Sequence, residues 1–260
     1  MPASHVMHPA VAASEIVPPD TRLGDVLRRQ AATRPDAPAW VTPGRSWTYA
    51  QIDQAINRVA QGLLALGITH GQRVAALTRH GAECTLLTMA AARIGAVCAP
   101  LNWRLAAPEV AYVLAHSEAR LLLVDAEFLP AVQGGQFPLL AQTVVTDGPA
   151  GDLPGLADWM AAQPATDPRR DGAPDDAALQ LYSSGTTGLP KGVEISSRAL
   201  LIACKSYARV FRIDQRTEML NALPAFHIAG VENTLTTLIE GGRAAAPARR
   251  ARPSNPRPAA

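Results

Sequence analysis

The residues best suited to chemistry lie in one short segment that directly follows an apolar strand. From Leu181 to Gly192 the sequence reads L-Y-S-S-G-T-T-G-L-P-K-G. Glycines let backbone N–H groups converge on an anion, and the Ser and Thr hydroxyls add further donors. Lys191 adds a full positive charge. Together these groups suit the oxygens of a polyphosphate.

Two familiar phosphate-binding motifs do not fit this segment. A Walker A loop requires Ser or Thr after its lysine, whereas here Gly192 follows and Pro190 precedes. The glycine spacing also differs from that of a dinucleotide-binding fingerprint. The alternative to a phosphate-binding loop is a polar surface turn that binds no ligand, because Gly, Ser and Thr are common in turns.

The string from Tyr182 to Gly192 resembles, over its whole length, the phosphate-binding signature [YF]-[TS]-S-G-T-T-G-x-P-K-G. This is the signature of the AMP-forming adenylating enzymes: acyl-CoA synthetases, luciferases and adenylation domains. Residues 95–109 resemble the upstream segment G-A-V…P-L-N-x-R-L…E of acyl-CoA synthetases. Residues 223–230 resemble the downstream segment P-x-F-H-x-x-G. The resemblance extends from about Leu23 to Gly242.

The resemblance implies the ATP-dependent ligation of a carboxylic acid. In this family the carboxylate attacks the α-phosphate of ATP, giving an acyl-adenylate and pyrophosphate, and a thiol, usually coenzyme A, then displaces AMP. ATP, Mg²⁺ and coenzyme A are therefore the implied cofactors. The implied contacts to the β- and γ-phosphates are Ser183, Ser184, Gly185, Thr186, Thr187, Gly188 and Lys191.

The same resemblance assigns roles to single residues. Lys191 and His227 would be catalytic, with His227 near the acyl carboxylate, and Thr186 would lie nearest to Mg²⁺ bound through the ATP phosphates. Packing at the start of a helix is the alternative role for His227. Asn102, Trp103 and Arg104 are interpreted as structural, because nothing nearby in the sequence completes a catalytic group.

One position departs from the family pattern. After the lysine the family commonly has a [ST]-H pair that begins the next helix, and this chain has Ser196 and Ser197 instead. Either serine can cap a helix. The substitution leaves the fold unaffected and removes any role of that histidine.

Periodicity places these motifs on alternating strands and helices, which favours an α/β fold with a mainly parallel sheet. The predicted class is the N-terminal portion of the large domain of an adenylate-forming enzyme, truncated. The pattern predicts helices at residues 23–32, 48–66, 84–94, 108–116, 156–161, 198–211 and 231–239. It predicts strands at residues 39–42, 46–48, 73–77, 96–99, 120–125, 143–146, 178–182 and 218–222.

Composition excludes several classes of protein. Apolar residues make up 48% of the 260 residues and charged residues 18%, which is typical of a folded domain. Three cysteines in no metal-binding or redox spacing are expected to be buried, reduced thiols. With neither a signal peptide nor a membrane-spanning run, the expected location is the cytoplasm.

The formal charge of +2 is uneven along the chain. The last twenty residues hold five arginines and no acid, which leaves 19 basic against 22 acidic residues in the rest. The basic tail has no aromatic residue for base stacking, so a nucleic-acid partner is not expected. The expected partners are a small carboxylic acid, ATP and coenzyme A.

These features divide the chain into four parts. Residues 1–20 are predicted to be a flexible N-terminus, and 21–242 a partial adenylation domain with a surface connection near 147–176. A second structural unit is expected after that connection. Residues 243–260 are predicted to be a disordered tail without a strand, because they hold four prolines and no β-branched residue.

The family's later segments do not occur in this chain. Neither Y-G-x-T-E, which serves adenine and Mg²⁺, nor T-G-D, whose Asp binds ribose, follows Gly230. Two interpretations follow: the N-terminal fragment of an AMP-forming carboxylic acid–CoA ligase, or an inactive remnant that only binds phosphate.

The composition of the tail predicts that the sequence is out of register with its ancestor from Arg243 or Ala244 onward. Ala, Arg, Pro and Gly have GC-rich codons, which a shifted GC-rich frame tends to produce. Sequencing of the locus should then show an intact downstream frame that encodes Y-G-x-T-E. Unrelated downstream sequence would contradict the prediction.

Overall fold

The computed structural model describes residues 12–42, 45–79, 81–183 and 189–246. Eight helices are assigned in these ranges: α1 Ala13–Ile16, α2 Leu23–Thr33, α3 Tyr49–Ala65, α4 Gly81–Ala92, α5 Ala107–His116, α6 Leu156–Ala161, α7 Ser197–Phe211 and α8 Ile228–Ile239. Ten strands accompany them: β1 Pro38–Thr42, β2 Arg45–Thr48, β3 Arg73–Leu77, β4 Val97–Pro100, β5 Leu121–Val124, β6 Gln142–Val145, β7 Ala177–Ser183, β8 Lys191–Ser196, β9 Glu218–Leu220 and β10 Arg243–Ala245. A 3₁₀ turn covers Ala126–Ala131.

A six-stranded sheet positions the signature segment. Its strand order is β6-β5-β3-β4-β7-β8, and every pair is parallel except β7 with β8. Strand β7 therefore extends the sheet begun by β3, β4 and β5. The expectation of a second structural unit after residue 176 was wrong, because β7 pairs directly with β4.

The strands of this sheet bury both faces, as the run L-L-L-V in β5 predicted. Leu121 and Leu123 belong to a core shared with α2, α3, α4, α7 and α8. Leu122 and Val124 belong to a second core, which packs against α5. This alternation follows from the twofold side-chain period of a strand.

The second sheet has four strands in the order β2-β1-β10-β9. Strand β10 lies at its centre and is parallel to β1 and β9. The prediction that no strand follows Gly242 was therefore wrong for Arg243–Ala245. Ladder hydrogen bonds on both sides outweigh the weak strand propensity of alanine, and Ala244 is fully buried between its neighbours. The rest of the predicted tail, from residue 247, lies outside the described residues.

The predicted flexible N-terminus extends too far along the chain. Residues 12–20 include α1, and the side chain of Val17 is buried in the main core. Arg198 donates a hydrogen bond to the carbonyl of Pro19 (2.9 Å). Burial of one apolar side chain and guanidinium bonds to the backbone fix a segment that has little periodic pattern of its own. Residues 1–11 lie outside the described part of the chain.

The connection near 147–176 is attached to the helices at several points. Arg28 on α2 forms ion pairs with Asp167 (2.5 Å) and Asp171 (2.9 Å). Gln61 on α3 donates a hydrogen bond to the carbonyl of Thr166 (2.8 Å). These contacts explain how a segment rich in Gly, Pro and Asp keeps a defined path from α6 to β7.

Other local predictions can be compared directly. Thr48 and Gln51 form the predicted capping box at the start of α3, and Gly67 has the predicted positive φ after it. All three cysteines are buried free thiols, and burial raises the pKa of Cys204 to about 12. Among the described residues, no helix is both long and apolar enough to cross a membrane.

The C-terminal end of α7 generates a stability prediction. Arg212 adopts a left-handed conformation (φ 55°, ψ 42°), in which an L side chain is strained and glycine is not. Arg212→Gly should therefore stabilise the fold by about 0.5–1 kcal/mol in urea-induced unfolding. Arg209, on the same helix, is the control: Arg209→Gly should destabilise by about 1 kcal/mol. A loss of stability in Arg212→Gly would contradict the prediction.

Candidate functional site

The signature segment lies in the hairpin between β7 and β8, at the carboxyl end of β7. Ser183 and Lys191 are paired across the two strands, so the ends of the loop are held in register. Strand β8 was not predicted from the sequence. The predicted phosphate-binding residues Ser184, Gly185, Thr186, Thr187 and Gly188 lie outside the described residues.

Lys191 presents an available positive charge at the end of this loop. Its side chain is exposed, and within the described ranges no carboxylate lies within ion-pair distance of it. The only other lysine of the chain, Lys205, is paired with Glu240 on α8 (2.7 Å). An open cleft of about 400 Å³ borders Lys191 and is lined also by Tyr112, His116 and Leu189. An anionic ligand can therefore approach the ammonium group from solvent.

A hydrogen-bond network fixes the first residue of the signature, Tyr182. Gln180 Nε2 donates to the Tyr182 hydroxyl (2.8 Å), and His116 Nδ1 lies 3.0 Å from the same oxygen. Arg73 holds the Gln180 amide by donating from Nε to Oε1 (3.1 Å). Burial raises the pKa of Tyr182 to about 12, so the phenol stays protonated at neutral pH and can donate to His116.

Packing against Gln180 explains why the last residue of the signature, Gly192, is a glycine. Gly192 is opposite Tyr182 in the β7–β8 ladder. A Cβ atom at Gly192 would lie 2.5 Å from Gln180 Nε2. Any side chain here would displace the amide that orients Tyr182.

The upstream motif, residues 95–109, crosses the carboxyl edge of the sheet beside β7. The Oδ1 atom of Asn102 accepts a hydrogen bond from the backbone of Arg104 (2.9 Å), which fixes the turn after β4. The Glu109 carboxylate caps the start of α5 through the backbone of Ala106 (2.8 Å). Asn102 and Glu109 thus have structural roles, as the sequence predicted for Asn102.

Trp103 is the centre of a cation–π cluster on this edge. The guanidinium groups of Arg79 and Arg104 lie 4.3 Å and 4.9 Å from the centroid of its ring. Phe128 stacks against Trp103 at 6.0 Å, and Phe226 meets it edge-on at 6.2 Å. Arg79 also forms a bidentate pair with Glu127: its Nε and Nη2 atoms each donate a hydrogen bond to one carboxylate oxygen (2.8 Å each). The cluster joins the carboxyl ends of β3, β4 and β5.

Through Phe226, the same cluster holds the segment that carries His227. His227 is exposed, and its Nδ1 accepts a hydrogen bond from the backbone of Ala229 (3.4 Å) at the start of α8. His227 therefore caps the start of α8, which is the alternative role considered for it. The cap uses Nδ1 and leaves Nε2 out of this hydrogen bond. Gly230 is required by packing, because a Cβ atom there would lie 2.1 Å from the carbonyl oxygen of Pro224.

The departure from the family's [ST]-H pair has a structural explanation. Ser196 caps α7 by accepting a hydrogen bond from Ala199 N (3.2 Å), as predicted. Ser197 Oγ accepts a buried hydrogen bond from the backbone of Leu23 (3.0 Å). The hydroxyl that replaces the usual histidine therefore joins α7 to the start of α2.

Sequence comparison with known families agrees with this geometry. Residues 27–259 match the sequence profile of the AMP-binding enzymes. The chain belongs to this family. The matched range includes the signature hairpin and both flanking motifs.

Individual AMP-binding enzymes show similarity over most of the chain. The long-chain-fatty-acid–CoA ligase FadD13 of Mycobacterium tuberculosis is 34% identical over 221 residues, which are 84% of this chain and 44% of that protein. The crystal structure of the N-terminal domain of FACL13 from the same organism has a TM-score of 0.79 at 30% identity and covers 87% of this chain and 57% of that one. The anthranilate CoA ligase AuaEII, solved with anthranoyl-AMP, has a TM-score of 0.84 at 28% identity and covers 90% of this chain and 46% of that one. The chain thus spans about half the length of the relatives it matches.

Several residues at the site were not found from the sequence. Four residues stand outside the recognised motifs, each in a different part of the chain: Arg79 in the loop after β3, His116 at the end of α5, Phe128 in the 3₁₀ turn and Gln180 in β7. No local pattern connects them, because only sheet pairing and helix packing bring them to Trp103 and Tyr182.

The network around Tyr182 generates a second prediction. Tyr182→Phe removes the hydroxyl that accepts a hydrogen bond from Gln180 Nε2. Because Gln180 is buried, its amide is then left without this partner, and the fold should be destabilised by about 1 kcal/mol. Urea-induced unfolding measures the change. Tyr207→Phe is the matched control and should be close to neutral, because Tyr207 contacts Phe211 through its ring. Equal effects of the two substitutions would contradict a role for the Tyr182 hydroxyl.

Proposed function

We propose that the chain supplies the phosphate-binding and acyl-facing half of an ATP-dependent, AMP-forming carboxylic acid–CoA ligase. The observation that carries this proposal is the exposed side chain of Lys191, at the end of the signature hairpin on the carboxyl edge of the sheet, with no carboxylate of the described residues within ion-pair distance. Ligands of α/β proteins bind at this edge. The likeness to AuaEII, whose structure holds an acyl-adenylate, supports adenylation as the chemistry.

The proposed roles follow from charge and position. Lys191 stabilises the negative charge that develops on phosphoryl oxygens when a carboxylate attacks the α-phosphate of ATP. Ser183, Ser184, Gly185, Thr186, Thr187 and Gly188 donate to the β- and γ-phosphates. His227, exposed beside Phe226, faces the acyl carboxylate through its second ring nitrogen.

The donor set fits a polyphosphate that brings its own metal ion. Among the described residues, no group of three or more His, Cys, Asp or Glu side chains could hold a metal. Mg²⁺ would be held through the ATP phosphates, near Thr186, and would neutralise charge on the phosphoryl oxygens. Coenzyme A as acceptor, and a cytoplasmic location, are part of the same proposal.

The second candidate function is an inactive module that binds polyphosphate. It requires only the signature hairpin with its exposed Lys191, and not the segments Y-G-x-T-E and T-G-D. The two functions share the phosphate site and differ in adenylate formation. For the chain by itself we infer little or no adenylate formation.

Phosphate binding is tested with the two lysines of the chain. Lys191→Ala should weaken binding of MgATP and of inorganic tripolyphosphate about tenfold or more, because it removes a charge-assisted hydrogen bond. Isothermal titration calorimetry measures both ligands. Lys205→Ala, which removes the lysine paired with Glu240, is the control and should bind like the unmodified chain. Equal binding by all three proteins would reject the phosphate site.

Adenylate formation is tested by exchange of pyrophosphate into ATP, with a panel of aliphatic and aromatic carboxylic acids. The chain alone should give no exchange above background. Acid-dependent exchange by the chain alone would show that the 260 residues hold a complete adenylation site. Exchange that appears only when the remaining half of a relative is added would support the ligase over the inactive module.

A further inference from the structure

His116, the last residue of α5, lines two open clefts. One is the cleft of about 400 Å³ that borders Lys191. The other, of about 520 Å³, is bordered also by Arg73, Glu118 and Glu194. No motif recognised in the sequence includes His116, yet it shares a cleft with the lysine that is proposed to bind phosphate.

Two tyrosine rings hold the imidazole in place. The ring centroid of Tyr112, one turn earlier on α5, lies 5.7 Å from that of His116. Tyr182 on β7 meets the imidazole edge-on, with the centroids also 5.7 Å apart. Contacts on two sides leave the ring little freedom to turn, so its two nitrogens have fixed directions.

A directed chain of hydrogen bonds begins at Arg73. A guanidinium group donates hydrogen bonds and accepts none. Arg73 donates from Nη2 to Glu194 (2.6 Å) and from Nε to Oε1 of Gln180 (3.1 Å). Because the group that faces Arg73 Nε must be an acceptor, the amide oxygen of Gln180 lies there. The NH₂ group of Gln180 is then directed at Tyr182.

The chain continues in the same direction to His116. An amide NH₂ group can only donate, so the Tyr182 oxygen accepts from Gln180 Nε2 (2.8 Å). The phenolic proton then has His116 Nδ1, 3.0 Å away, as its acceptor. Burial raises the pKa of Tyr182 to about 12, which keeps this proton on the phenol at neutral pH. A neutral imidazole that accepts at Nδ1 carries its own proton at Nε2.

The Nε2–H group of His116 is available to a ligand. Among the described residues it has no hydrogen-bond partner, and the side chain is exposed. Lys191 lines the same cleft, whereas the acidic residues Glu118 and Glu194 line the other one. An N–H donor that shares a cleft with an ammonium group, and with no carboxylate among the described lining residues, suits the oxygens of an anion.

We propose that His116 is a second phosphate-binding residue of the Lys191 cleft, whose Nε2–H group donates to an oxygen of a bound polyphosphate. Arg73, Gln180 and Tyr182 are positioning residues, because they hold the imidazole in the form that donates from Nε2. The inference deepens the proposed function and rests on the phosphate site at Lys191.

The form of the imidazole is tested by NMR on the 260-residue chain with nitrogen-15 in its histidines. Long-range proton–nitrogen correlations distinguish a ring protonated at Nε2 from one protonated at Nδ1. At about pH 8, where histidine side chains are neutral, we expect His116 in the Nε2–H form. Tyr182→Phe removes the donor to Nδ1 and should raise the share of the Nδ1–H form. A dominant Nδ1–H form in the unmodified chain, or an unchanged share in Tyr182→Phe, overturns the proposal.

Two substitutions at one position separate the Nε2 donor from the rest of the ring. In His116→Gln the side-chain NH₂ group can take the place of Nε2, whereas the shorter side chain of His116→Asn reaches only as far as Nδ1. Isothermal titration calorimetry at the same pH measures binding of inorganic tripolyphosphate and of MgATP. His116→Asn should weaken both ligands about fivefold to tenfold, because a hydrogen bond to a charged oxygen is lost, and His116→Gln should stay within about twofold of the unmodified chain. Equal affinities of the two variants, or a loss for MgATP alone, overturn the proposal.

His70 provides the control. It is an exposed histidine outside this cleft, and it is paired with Asp176 (2.7 Å). His70→Asn should bind both ligands like the unmodified chain, and cooperative thermal melting of each variant checks that it is folded. A loss in His70→Asn equal to that in His116→Asn overturns the assignment to His116.

The result for Lys191→Ala separates this proposal from the proposed function. Weaker binding in Lys191→Ala together with unchanged binding in His116→Asn rejects the role of His116 and keeps the phosphate site. Unchanged binding in Lys191→Ala, or no binding of tripolyphosphate by the unmodified chain, rejects both.

Discussion

The parallel pairing of β4 with β7 is the contact on which the candidate site depends. It joins residues 177–196 to a sheet whose other strands come from residues 73–145. Because β3, β4, β5, β6 and β7 are parallel, their carboxyl ends lie at one edge. The signature loop and the turn that carries Trp103 follow neighbouring strands and therefore meet at this edge.

Charge and aromatic packing determine how that edge is built. Arg79 is held by the Glu127 carboxylate and covers one side of Trp103, while Arg104 also contacts the ring. Phe226 extends the cluster to the segment that begins α8. Two motifs separated by about 120 residues in sequence are thus joined by one indole ring. A guanidinium held over an aromatic face keeps its charge while its desolvation is partly compensated.

Behind the signature hairpin, polar groups have a supporting role. The chain of hydrogen bonds from Arg73 through Gln180 to Tyr182 crosses the sheet next to Gly192. Buried polar groups of this kind are costly unless they are paired, so the network favours one arrangement of β7 and β8. The loop between these strands then begins and ends at fixed points, with Lys191 left exposed at one of them.

The sequence by itself determined the family, the motifs and most helices and strands. The capping box at Thr48 and the cap at Ser196 depend on neighbours a few residues away, so their local pattern was sufficient. The two-faced burial of β5 was legible in its uninterrupted apolar run, although the residues that cover it are distant in sequence. Strand β10 and residues 12–20 were predicted wrongly, because their order comes from ladder bonds and distant guanidinium groups that no local pattern records. Only the tertiary structure brought Arg79, Phe128 and Phe226 to Trp103, and His116 and Gln180 to Tyr182. These contacts depend on which strands pair, and pairing is a property of the whole sheet.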